Sequence, residues 1–150
     1  IIDCCNELSG LITSNSEFDF FISTTAQLNS GNTTNINVSG RYLLIGGNII
    51  ITNPPASGIL IDITTSCVLV DLGGICIDAN NLVDIVFNIQ NQSNVIIRNG
   101  TISNVNQNAI FINNSNNVLL QNLVIENVTG GDAILIQNST NITIDNVTIL

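Results

Sequence analysis

The residues able to do chemistry are few, and their spacing limits what they can do. Eleven acids are opposed by only two bases, Arg41 and Arg98, and the chain has no histidine and no lysine. Paired carboxylates could cleave a glycosidic bond if they stood about 5–9 Å apart. Asp62, Asp71, Asp78 and Asp84 are the densest acids, while Asp132 and Asp145 are isolated. None forms an evident pair, so no catalytic residue is assigned. Cys4, Cys5, Cys67 and Cys76 lack both CxxC spacing and accompanying histidines, which argues against zinc. Adjacent Cys4 and Cys5 bridge each other only with strain. The four are candidates for disulfides among themselves or to another chain, against a plainer reading as buried free thiols. No cofactor is expected. Calcium on coil-edge Asp stays open, although the dense Asp, Asn and Gly spacing of calcium loops is missing. Nine N-x-S/T triplets, at Asn32, Asn37, Asn91, Asn99, Asn113, Asn127, Asn138, Asn141 and Asn146, would be glycan acceptors in a eukaryotic secretory route.

The elements that carry these residues follow from composition. Among 150 residues there are 27 Ile and 26 Asn, without Met or Trp, and only 9% are charged. Ile and Val favour strands. Asn tolerates left-handed backbone and bonds its own main chain, so it suits tight turns. Strand formers joined by turn formers predict an all-β chain. The net charge of −9 removes the basic face that nucleic acid needs and disfavours docking on an anionic bilayer. No apolar run reaches the roughly 18 residues of a membrane span, so no membrane insertion is expected.

Internal repetition decides the architecture. SNVIIRNGTI from Ser93 recurs as SNNVLLQNLVI from Ser115 and as STNITIDNVTI from Ser139. Val95, Val118 and Ile142 correspond, as do Asn99, Asn122 and Asn146. AIFIN from Ala109 matches AILIQ from Ala133, and GILID, DIVFN and CVLVDLGGICI extend the pattern backwards. A period of roughly 24 residues that holds several strands of three to five residues, and no helix, leaves one economical fold. Each period winds one coil, and each strand pairs in parallel with its copy about 4.8 Å away. Inward Ile, Val and Leu then stack into a core that no single coil could form. Asn99, Asn122 and Asn146 are expected to form a structural ladder at a bend, bonded amide to amide in the interior. Asp71 and Arg98 fall one coil apart, which predicts a stacked surface ion pair near 5 Å that contributes little.

GRYLLIGGNIIIT at Gly40, then GILID and CVLVDLGGICI, resembles the opening of right-handed β-helices of the pectin-lyase-like superfold. Tyr42, Val68, Leu69, Asp71, Leu72 and Gly73 stand where its entry strand and first full coil have matching residues. The likeness spans about residues 38–150 and is closest in style to giant-virus and secreted bacterial surface members. It implies a right-handed rod but leaves function open, because the fold serves lyases, hydrolases, adhesins and virion proteins. The family's enzymes use clustered Asp with Arg, Lys or His, a set this chain does not provide.

The ends differ from the coils. Ile1, Cys5, Leu8 and Ile12 fall on one helical stripe, which predicts a short N-terminal capping helix or an oligomerising one. Residues 1–37 then form a cap and irregular lead-in, and 38–150 the coils. Leu150 falls in mid-coil, which suggests either a continuing chain or stacking onto a neighbour. The reading that follows is a structural protein of a virion or cell surface, extracellular, a stiff rod that self-associates. The alternatives are a carbohydrate-binding adhesin, or a polysaccharide lyase or hydrolase whose active coils lie elsewhere.

Overall fold

The computed structural model describes residues 17–150; Cys4, Cys5 and the helical stripe of residues 1–13 lie outside this range. The described chain is a parallel β-solenoid of about five coils. Its strands, numbered in chain order, line three faces. The first face holds β1 (Phe20–Ser23), β3 (Gly40–Ile45), β6 (Val68–Asp71) and the leading halves of β9 (Ser93–Val105), β11 (Asn116–Val128) and β13 (Thr140–Ile149). The second holds β4 (Ile49–Ile50), β7 (Cys76–Asp78) and the trailing halves of the three long strands. The third is a separate sheet of β2 (Thr34–Ile36), β5 (Ile59–Ile63), β8 (Ile85–Gln90), β10 (Asn108–Asn113) and β12 (Ile134–Gln137). Every pairing is parallel, coil onto coil.

The register gives the true period. Phe20 pairs with Tyr42, Tyr42 with Val70, Val70 with Ile97, Ile97 with Leu120 and Leu120 with Ile144. The successive steps are thus 22, 28, 27, 23 and 24 residues, so the coils are longest in the middle. The solenoid also starts earlier than the expected boundary at residue 38. β1 and β2 already pair with β3 and β5, joined by a π-helical turn over Thr24–Leu28. The alternation of Phe21, Ile22 and Ser23, with Ile22 buried, is enough to seat this lead-in as a first coil.

Long strands replace the expected pieces of three to five residues, for β9 and β11 each run 13 residues through a corner. The pairing survives the corner because Asn99 and Asn122 adopt positive φ there, 65° and 53°, turning the chain without losing register. Gly100 follows Asn99 because the bend presses its backbone against the previous coil. A Cβ at Gly100 would lie 2.4 Å from the Leu72 Cβ.

The core is a set of apolar columns. Val70, Ile97 and Leu120 stack on the first face, Ile77, Ile102 and Ile125 on the second, and Ile61, Phe87 and Ile110 on the third. All nine side chains are fully buried. At about 1.5–3 kcal/mol for each large apolar side chain removed from water, these columns dominate the favourable energy of the rod.

Candidate functional site: amide ladders, an ion-paired corner and a groove

Asparagine supplies thirteen of the fourteen non-glycine residues with positive φ among the described residues, and Cys67 is the other. A left-handed corner is costly for most L-residues but mild for Asn, whose short amide bonds locally. Repeating the corner every coil stacks the amides. Asn122 Nδ2 donates to Asn99 Oδ1 at 3.2 Å, and Asn146 Nδ2 donates to Asn122 Oδ1 at 2.8 Å. The column stands at the surface, not in the interior as expected: Asn99 is half-buried, and Asn122 and Asn146 are exposed. A left-handed corner points its side chain out of the coil, so the amides reach each other along the outer edge.

Three further columns went unread in the sequence. Asn114 donates to Asn91 at 2.6 Å, Asn117 to Asn94 at 2.7 Å and Asn127 to Asn104 at 2.6 Å. Their signal was the same spacing of 23 residues that links Asn99 to Asn122. The column at Asn94 shifts in the last described coil, where Asn141 Nδ2 donates to Asn116 Oδ1 instead.

Asp71 ends the main ladder. Its Oδ2 accepts from Arg98 Nε and from Asn99 Nδ2, both at 3.0 Å, while Oδ1 accepts from the Gly73 backbone N–H at 2.8 Å. The expected ion pair thus forms as direct contact, not near 5 Å, and it is sheltered, with side chains only 16% and 10% exposed. With its lone pairs committed to three donors, Asp71 serves as the corner's anchor. The other mid-chain acids act alike: Asp78 Oδ1 accepts from Asn80 N–H and Asn104 Nδ2, and Asp62 accepts from Asn88. Asp62, Asp71, Asp78 and Asp84 are not drawn together. Among the described residues, no group of three or more His, Cys, Asp or Glu could hold a metal ion.

Cys67 is disulfide-bonded, whereas the plainer expectation was free thiols throughout. Cys76 is a free, half-buried thiol in β7, with its sulfur 3.9 Å from Ser103 Oγ. Cys67 takes the corner position that Asn94 takes one coil later, and it is buried in a small cluster with Phe18, Leu69 and Ile96. Tyr42 lies at the other end of this face, stacked on Phe20 with ring centroids 4.7 Å apart. Burial pushes its phenol pKa above the usual value of 10, and the hydroxyl donates to the Val38 carbonyl at 2.6 Å.

A shallow groove of about 160 Å³ runs along the outside of the first face. Ile96 and Leu119 form its apolar floor, beside Thr143, and Asn94, Asn117 and Asn141 form one wall. It carries no charged side chain. Such a surface can take the apolar face of an uncharged ring and bond hydroxyls along the wall.

No curated protein and no solved structure gives a significant match to this chain. Residues 84–150 match the family model of a right handed beta helix region. That stretch holds the most regular coils and all four amide ladders, and over it this parallel β-helix is similar to the right-handed β-helix family.

Proposed function

We propose that the chain is the stiff shaft of a structural surface or fibre protein. One observation carries this reading: the corner amides spend their hydrogen bonds on the next coil, in column after column. Side chains tied along the axis resist bending and local opening, which is what a load-bearing rod needs. An extracellular or virion-surface setting is supported by the disulfide at Cys67, since such bonds persist in oxidising surroundings. Self-association is supported by large apolar side chains left exposed, among them Phe21, Ile45 and Ile50.

The groove favours a second reading, an adhesin that holds a neutral polysaccharide along the shaft. An acidic polymer fits less well, because the protein carries a net charge of −9 and Arg98 is already paired. Electron microscopy of the purified native material tests both. Filaments or a regular lattice support the shaft. Isolated short rods that retain a neutral glucan or mannan in a binding assay overturn it in favour of the adhesin.

A further inference from the structure

We propose that Asn99–Gly100 is a spontaneous modification site that the folded rod holds shut and that makes unfolding of this corner irreversible. It is the only Asn-Gly dipeptide in the chain. Glycine offers no side chain to shield its backbone nitrogen, so this pair closes readily to a succinimide in flexible peptide. The Gly100 nitrogen gives up its proton to hydroxide and bonds to Asn99 Cγ. The Cγ–Nδ2 bond breaks, and the amide nitrogen leaves as ammonia with a proton taken from water. Water then opens the ring at either carbonyl, leaving aspartate or isoaspartate at position 99.

The fold ties down the side-chain amide and the backbone on either side of the reacting nitrogen. The side-chain amide is held at both ends, Nδ2 on Asp71 Oδ2 at 3.0 Å and Oδ1 under Asn122 Nδ2 at 3.2 Å. The peptide that carries the nucleophile is held as well. The Gly74 N–H donates to the Asn99 carbonyl at 2.8 Å, and the Thr101 N–H donates to Ile75 O at 3.1 Å. The backbone at Gly100 is tightly packed against the previous coil, since a Cβ added there would lie 2.4 Å from Leu72 Cβ and 2.9 Å from Ile75 O. The product cannot be re-accommodated. A carboxylate at position 99 would face Asp71 where a donor stood, and isoaspartate would add a methylene to the backbone at a corner defined by register. An opened corner therefore becomes a permanent fault in the ladder, independent of whether the rod is a shaft or an adhesin.

The test compares native and urea-unfolded protein incubated at mildly alkaline pH, followed by peptide mapping for aspartate and isoaspartate at position 99. Conversion is expected to be at least about tenfold slower in the native rod, the protection given by even a modest local opening energy. Asn122→Gly keeps the left-handed corner but frees Asn99 Oδ1. It should speed native conversion without changing the unfolded rate, and the gain should persist at urea concentrations well below the unfolding transition. Equal rates in native and unfolded wild-type protein would overturn the proposal. If native conversion is slow but the same in wild type and folded Asn122→Gly, overall folding and not the ladder closes the site, and the pinning argument fails.

Discussion

Replacing Asn122 separates the two jobs assigned to a corner asparagine, because the residue carries a backbone of φ 53° and two ladder bonds. Alanine loses both. A left-handed conformation costs an L-residue with a Cβ about 1–2 kcal/mol. The two amide bonds are exposed, so each is expected near the low end of the net range, about 0.5 kcal/mol. Asn122→Ala should therefore destabilise by roughly 2–3 kcal/mol. Glycine restores the backbone but not the amide, and adds about 0.5–1 kcal/mol from its looser unfolded chain. Asn122→Gly should then cost roughly 1.5–2 kcal/mol, measurably less than alanine. Urea unfolding followed by circular dichroism, with equal slopes for all variants, reads the difference. If glycine costs as much as alanine, the left-handed corner is not what selects asparagine. If glycine costs nothing, the ladder bonds contribute no stability and the stiffness argument for the shaft loses its basis.

Two further perturbations probe other parts of the coil. Gly100→Ala drives a Cβ into the Leu72 Cβ at the corner, so the coils must separate; a loss of at least about 1–3 kcal/mol is expected from overpacking, and wild-type stability in urea would show the bend is less tight than described. Tyr42 is the only tyrosine, which makes its ionisation directly readable by ultraviolet titration. Its pKa is raised by burial, so above pH 10 the unfolded chain releases the phenolic proton while the folded chain keeps it. This contribution to stability is complete below pH 10 and is lost as pH rises through the folded pKa. Tyr42→Phe should remove that alkaline decline, and an unchanged decline would assign it elsewhere.

The period, the parallel all-β class and the column at Asn99, Asn122 and Asn146 could be read from the sequence because each rests on repetition. Residues that recur one coil apart must meet one coil apart once strands pair in register, so Val95 over Val118 over Ile142 needs no further information. The same logic reaches the columns at Asn91, Asn94 and Asn104, whose partners also stand 23 residues on. What only the tertiary structure decided is depth and direction at single positions. Sequence spacing places Asp71 beside Arg98, but only the folded coils shelter the pair and commit the carboxylate to three donors. Repetition puts the amides in columns, but the handedness of the corner turns them outward instead of into the core. Cys67 and Cys76 look alike in the chain, yet one lies buried at a left-handed corner and is bridged while the other lies half-buried in a strand as a free thiol. A repeat specifies which residues are neighbours, whereas exposure and bonding depend on how the non-repeating turns close over them.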